Sequence, residues 1–164
     1  MIGASQFTVQ VSGKTIYLPD PKVLPVHNVP VVHAGIDLGG AFDPTALTDA
    51  IRAGLARMDR APAARVAIAF AWHGDPDYAR IAAAGRAIAA AVAPDGRREQ
   101  PLLLMIDGDV GRTFGRFLRD ELGLVGDLVS IDGVQLQELD FVDVGELISP
   151  PGVVPVVIKS LLFS

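Results

Sequence analysis

This chain lacks cysteine, has few aromatic residues and contains no long uncharged apolar run. Without cysteine, disulfides, thiol nucleophiles and cysteine-bound zinc are excluded, and the composition suits a reducing cytoplasm, where we expect the protein to work. No stretch reaches the roughly eighteen apolar residues of a membrane-spanning helix, and the first residues lack the basic and apolar regions of a secretory signal. We therefore expect no membrane partner.

Charge and hydropathy limit the kinds of partner that the chain is expected to bind. The net charge of −5 is spread along the chain without a basic stripe, and only 6% of residues are aromatic, so nucleic acid is not an expected partner. Hydrophobic residues make up 50% of the chain, and the mean hydropathy is positive. Two explanations of this high hydrophobic content stay open. Either a partner outside the chain covers an apolar surface, or the chain is simply rich in alanine and valine and has no such surface.

Length and pattern predict one α/β domain over residues 1–164. In residues 1–34 we expect a hairpin, with strands at 7–11 and 16–18, followed by a proline-rich extended connector. Four prolines between positions 19 and 30 argue against a central strand, so residues 29–33 are expected to form no more than a short edge strand.

Residues 35–132 have the alternation of α/β units. Helix starts are indicated by Asp43-Pro44 and Asp75-Pro76, a third helix by residues 114–122, and strands by the apolar runs at 66–71, 102–106 and 128–131. This order predicts a central, mainly parallel sheet flanked by helices, with antiparallel hairpin strands at both ends. In residues 133–164 we expect a C-terminal hairpin over 133–148 and a strand over 153–158, where Pro155 indicates an edge or a bulge.

The best local candidate for a ligand site is the loop of Asp107, Gly108, Asp109, Gly111 and Arg112. It follows a buried strand and opens a helix, where ligands gather in parallel α/β sheets. Its glycines allow close backbone approach to an anion, and an arginine can clamp one. The alternative is structural: Asp109 caps the helix and the two glycines only make the turn.

Four apolar residues followed by Asp107-Gly108-Asp109 also resemble the first motif of the haloacid dehalogenase phosphohydrolases. That resemblance implies a Mg²⁺-dependent phosphohydrolase with Asp107 as nucleophile and Asp109 as general acid/base. About two-thirds of the chain precedes the motif, and the later lysine and aspartate pair of that family has no good match downstream. The three histidines are too scattered to predict a metal site.

The C-terminal stretch from 153 to 163 is apolar, rich in β-branched residues, and carries one charge, Lys159. It resembles the C-terminal signature of the ethanolamine ammonia-lyase reactivating factor (EutA) family, whose members end in a similar valine-proline-valine and lysine-serine-leucine phrase. Further phrases fit that family in the same order, at residues 2–5, 11–16, 24–31, 109–115 and 140–145. The resemblance therefore covers nearly the whole chain.

The resemblance implies an actin-like ATPase fold, of which this chain matches the C-terminal half. Full-length members use ATP and Mg²⁺ to release damaged cobalamin from ethanolamine ammonia-lyase, so that intact adenosylcobalamin can enter. Gly3, Ala4 and Ser5 are then the nucleotide-side residues present, with Ser5 where the family has glycine.

The expected partners are the lyase and a missing N-terminal half. The chain alone is expected to be a binding and conformational module with no catalytic residues and no tightly held cofactor. An apolar face left uncovered predicts a homodimer at high concentration. A pure interaction domain that never meets nucleotide is the remaining alternative.

Overall fold

The computed structural model describes residues 4–12, 15–59 and 64–162. The strands are β1 (Ala4–Val11), β2 (Ile16–Tyr17), β3 (Val26–Asp37), β4 (Val66–Ala71), β5 (Leu102–Asp107), β6 (Leu128–Asp132), β7 (Phe141–Val144) and β8 (Pro155–Leu162). The helices are α1 (Pro44–Arg57), α2 (Tyr78–Val92) and α3 (Gly111–Arg116). A 3-10 turn (Pro21–Val23) precedes β3, and a π-helical turn (Phe117–Glu121) extends α3. None of the helices described here is long and apolar enough to cross a membrane.

The strands form one curled sheet in the order β1-β8-β7-β3-β4-β5-β6-β2. Strands β3 to β6 run parallel, each joined to the next through a helix. Strands β7, β8 and β1 continue the sheet antiparallel on one side, and β2 does so on the other. The mixed α/β class and the parallel centre with antiparallel ends are therefore as the sequence predicts.

Helix starts follow the chemistry of their caps. The Asp43 carboxylate accepts a hydrogen bond from Thr45 N at 3.0 Å, so α1 begins at the predicted residue. Helix α2 begins later than the Asp75-Pro76 pair indicates, because Asp77 is the residue whose carboxylate accepts from a first-turn amide, Ala79 N at 2.9 Å.

The sheet has an apolar core on each face. The three helices cover one face, where Phe114 contacts the rings of Phe70 and Trp72 at centroid distances of 5.0 and 5.8 Å. On the other face the curl of the sheet encloses a second cluster, shared between the parallel strands and strands β7 and β8. Strands β4 and β5 are buried on both faces, which is why they read as continuous apolar runs.

The predicted N-terminal hairpin is wrong. Strand β1 pairs with β8 over eight register positions, and β2 pairs with β6, so the two lie at opposite ends of the sheet. A short alternating segment gains more by pairing with a long apolar strand than with a two-residue neighbour, and tertiary context overrides the local turn signal.

The proline-rich segment also departs from its prediction, because β3 is central rather than a short edge strand. Its first half pairs with β7, and its pairing with β4 begins only at Val31. Pro30 therefore lies where β3 has a strand neighbour on one side alone, so its missing N–H interrupts no two-sided ladder. A register irregularity between Val26 and Val29, with Asn28 at φ 55°, precedes it.

At the C-terminus the predicted hairpin involves other residues. Residues 133–140 contain no strand, and β7 pairs antiparallel with β8, which begins two residues later than expected and runs to Leu162. Strand β8 lies between β1 and β7, so Pro155 marks neither an edge nor a bulge. It is the first residue of the strand, where the missing N–H is tolerated.

Candidate functional site

Polar residues end or follow all four parallel strands. Asp37, Asp107 and Asp132 are the last residues of β3, β5 and β6, and His73 comes two residues after β4. Because the carboxyl ends of parallel strands meet at one edge of a sheet, these side chains share the edge where α/β proteins bind ligands.

His73 joins two of these carboxylates. Its Nδ1 lies 2.9 Å from Asp37 Oδ2, and its Nε2 lies 3.4 Å from Asp107 Oδ2. A neutral imidazole donates through one nitrogen only, whereas the protonated ring donates through both. The protonated form of His73 can therefore bridge the ends of β3 and β5.

Asp37 is held by the backbone as well as by the histidine ring. Its Oδ1 accepts hydrogen bonds from Gly39 N at 2.8 Å and His73 N at 3.0 Å. Burial acts to raise the pKa of Asp37, but these backbone bonds and the His73 ring outweigh it, so the pKa lies below its ordinary value. The loops pack closely here: a Cβ on residue 39 would lie 2.6 Å from the carbonyl oxygen of His73, so glycine is required.

A cavity of about 340 Å³ lies beside this network, on the sheet face opposite the helices. Its polar lining residues are Gln10, His33, Asp107, Gln135 and Gln137. The Gln135 side chain donates from Nε2 to Asp107 Oδ2 at 3.3 Å, and its backbone N donates to Gln10 Oε1 at 3.4 Å. His33 Nδ1 accepts from Gly35 N at 2.9 Å, which leaves the proton of the neutral ring on Nε2.

The predicted ligand loop lies next to this cavity, but two of its first-turn amides already have partners. Gly111 N donates to Asp132 Oδ2 at 3.1 Å, and Arg112 N donates to Thr15 Oγ1 at 3.3 Å. Thr15 Oγ1 in turn donates to the Asp132 carboxylate. An internal carboxylate therefore occupies the position that the sequence offers to an external anion.

The structural alternative for Asp109 is wrong, because α3 starts from Val110 with no side-chain cap and Asp109 is exposed. Gly108 is required by close packing, since a Cβ there would lie 2.5 Å from the Trp72 carbonyl oxygen. The phosphohydrolase alternative gains no support: among the described residues, no three histidine or acidic side chains are placed to hold a metal ion. A ligand role for the loop stays a prediction.

Of the predicted nucleotide-side residues, the two that the structure describes lie in β1. Gly3 is outside the described residues, and Ala4 and Ser5 pair with Leu162 and Leu161 at the start of β1. Strand β1 lines the cavity through Gln10 instead. The structure thus brings Asp107 together with Asp37 and His73, but it does not place Ala4 or Ser5 with them.

Sequence reasoning missed Asp37 and His73 as partners of Asp107. A signal was present, since the residues around each parallel strand end follow one pattern: Ile36-Asp37, Trp72-His73, Ile106-Asp107 and Ile131-Asp132. An apolar residue followed by a titratable one at four successive strand ends predicts a polar edge once the strands are known to be parallel.

The chain is similar to known proteins of one family along its whole length. The family model described as "Ethanolamine utilisation protein EutA" matches residues 1–164. The chain belongs to the EutA family. Its similarity to the ethanolamine ammonia-lyase reactivases EutA of Salmonella typhimurium (strain LT2) and Escherichia coli (strain K12) is 32% identity over 164 residues in each case.

The match to these EutA relatives covers 99% of this chain but 33% of each relative, so the chain spans about a third of their length. No solved structure matches the chain significantly. The family match over residues 1–164 shows membership of the EutA family. The actin-like fold that the resemblance implies stays a prediction, because no solved structure tests it.

Proposed function

We propose that this chain is the C-terminal part of a reactivating factor for adenosylcobalamin-dependent ethanolamine ammonia-lyase, and that it assists ATP-dependent release of damaged cobalamin. The observation that carries the proposal is the family match over residues 1–164. Both bacterial relatives are named as reactivases of this lyase, which supports the lyase as the partner.

The geometry at the strand ends supports a binding role better than a catalytic one. His73 is held between Asp37 and Asp107, and no described hydrogen bond joins it to a serine or threonine hydroxyl that it could activate. The polar edge and the adjoining cavity offer hydrogen-bonding groups to a partner or ligand, without a described hydroxyl nucleophile beside His73.

In this proposal, ATP and Mg²⁺ are held largely by the part of the longer relatives that this chain does not match, with residues 3–5 as the contact from this side. The nucleotide state then shifts a two-state protein toward the form that binds the damaged lyase more tightly. The chain by itself contributes a docking and conformational element.

Binding to the lyase is the first test. Calorimetric titration of the chain into lyase that holds a cobalamin without its adenosyl group is expected to give heat, with weaker binding to the intact holoenzyme. Serum albumin in place of the lyase controls for nonspecific association. No binding to either lyase form would contradict the proposal.

Nucleotide dependence is the second test. Titration of the chain with ATP and Mg²⁺ is expected to give no heat, whereas heat should appear after addition of the unmatched N-terminal part of the Salmonella relative. Metal-dependent phosphate release by the chain alone, abolished by Asp107→Asn and retained by Asp95→Asn, would favour the phosphohydrolase and overturn the proposal.

A further inference from the structure

Strand β1 is a long edge of the sheet. It pairs with β8 through eight consecutive register positions, from Ala4 opposite Leu162 to Val11 opposite Pro155. On its other side, no strand in the described part of the chain pairs with it. The opposite edge of the sheet is β2, which has only two residues. One edge is therefore short, and the other presents a full row of backbone donors and acceptors.

One face of β1 is both exposed and apolar. Phe7, Val9 and Val11 alternate along the strand and so lie on one face, and they are 65%, 67% and 54% exposed. Natural edge strands are protected by charges, prolines, bulges or short length. Residues 4–12 contain no charged residue and no proline, and the unbroken register with β8 contains no bulge.

We infer that a second copy of this chain pairs with β1, antiparallel about a two-fold axis, and extends the sheet through the two edges. In such a pair, the sequence numbers of any two directly opposite residues add up to the same value. One register places Val9 opposite Val9 and Phe7 opposite Val11. The apolar side chains of both copies then lie on one face and contact each other across the strands. A strand without charge can pair with itself without like-charge repulsion.

Two dimer geometries are conceivable: the β1 edges pair, or the apolar faces of β1 in the two copies stack on each other. Charge favours the first geometry. Lys159, the charged residue of β8, lies opposite Phe7 on this face. Its ammonium lies 2.9 Å from Asp143 Oδ2 and donates to Asn28 Oδ1 at 2.7 Å. Face-to-face packing would remove this ion pair from water at a cost, whereas edge pairing leaves it in solvent. The proposal does not depend on the lyase as a partner.

A single strand pair is a small interface, so the dimer is weak and depends on concentration. Sedimentation equilibrium of the full chain over a wide concentration range is expected to show a monomer–dimer equilibrium. Val9→Lys, which places like charges near the axis, should raise the dissociation constant about tenfold or more. Val125→Lys, at a 51% exposed position between the π-helical turn and β6, is the matched control and should leave the constant unchanged.

Hydrogen exchange of the unmodified chain gives a second measurement that does not depend on a variant folding. Alternate amides of β1, those directed away from β8, should gain protection as the protein concentration rises, while the amides of β2 should not. A monomer at every concentration would overturn the inference. So would a dimer that Val9→Lys does not weaken, or one without added protection at β1.

Discussion

Arg98 is almost wholly buried, with 5% of its surface exposed, although it carries a charge. Its guanidinium donates to the carbonyl oxygens of Val92 and Ala64 at 2.6 Å each and of Gln100 at 3.2 Å. Burial lowers its pKa to about 10, which still leaves it charged at neutral pH. One side chain thus ties the end of α2 to the segments that lead into β4 and β5.

Replacement of Arg98 tests this role. Arg98→Met removes the donor from the carbonyl groups of Val92, Ala64 and Gln100, so the free energy of unfolding should fall by roughly 3 kcal/mol. Urea denaturation measures it. Arg97→Met is the matched control because Arg97 is exposed, and it should change stability by no more than about 0.5 kcal/mol. Equal losses in the two variants would contradict the structural role of Arg98.

Two carboxylates make stability depend on pH. Burial acts to raise the pKa of Asp143, but hydrogen bonds from Asn28 N, Lys159 and His27 lower it overall, as backbone and ring bonds do for Asp37. Since each folded-state pKa lies below the ordinary value of 3.8, the unfolded chain takes up protons first as pH falls. The stabilisation is therefore present above about pH 4 and is lost as the pH drops through the folded-state values.

Asp37→Asn and Asp143→Asn should each reduce stability at neutral pH and flatten the acid limb of the stability curve. Urea unfolding at a series of pH values from neutral to below 3.8 measures this. Asp109→Asn is the control, because the exposed Asp109 carboxylate makes no hydrogen bond to a described residue. An acid limb as steep in both test variants as in the unmodified protein would refute the prediction.

At the scale of elements, helix α2 packs closely on the π-helical turn. A Cβ at Gly85 would lie 2.6 Å from Phe117 Cδ1, an atom of an aromatic ring that cannot bend away. The glycine weakens the isolated helix by about 0.5–1 kcal/mol relative to alanine. It is present because the two elements approach each other too closely for any side chain there.

Gly85→Ala should therefore lower the free energy of unfolding by about 1 kcal/mol, since overpacking of typically 1–3 kcal/mol exceeds the gain in helix propensity. Gly40→Ala, where the nearest atom to a Cβ is 3.9 Å away, is the matched control and should be nearly neutral. In a double-mutant cycle with Phe117→Leu, the two changes should compensate each other. Simple additivity would show that the ring is not the obstacle.

Elements differ in how far their own sequence predicts them. Strand β4 and helix α1 follow directly from an apolar run and from a cap with an amphipathic stripe. The length and central position of β3 are not predicted because proline signals are local, whereas its pairing with β7 and β4 is made by residues far along the chain. The same reason explains the wrong N-terminal hairpin, since a turn signal does not identify the strand that finally pairs.

At the scale of the whole molecule, the three helices cover one face of the sheet. On the other face, the sheet curls around a second apolar cluster. Strands β4 and β5 have neighbours on both sides and cores on both faces, whereas β2 is a two-residue edge. Native-state hydrogen exchange should therefore find that β4 and β5 amides open only with global unfolding, with rates that respond to urea. The amides of β2 should exchange through local opening that urea hardly changes. Urea-independent exchange in β4 would argue against this core.

The candidate site could be predicted in part. Asp107 stands out in sequence because it ends an apolar run before a glycine turn. Its contacts with His73 and Gln135 depend on which loops the sheet brings side by side. The partner of the Gly111 amide, Asp132, comes from the next strand, so sequence spacing alone could not show that the loop is already occupied.

The sequence by itself determined the α/β class, the parallel centre and the family, because apolar periodicity, helix caps and ordered phrases are local properties of the chain. Tertiary structure alone decided which strands lie at the edges, which carboxylates meet His73 and which amides of the ligand loop are already bonded. These depend on pairing between segments far apart in the chain, such as Ala4 of β1 with Leu162 of β8. Such pairing is selected by the free energy of the whole sheet and its two cores, to which a local pattern contributes only a part.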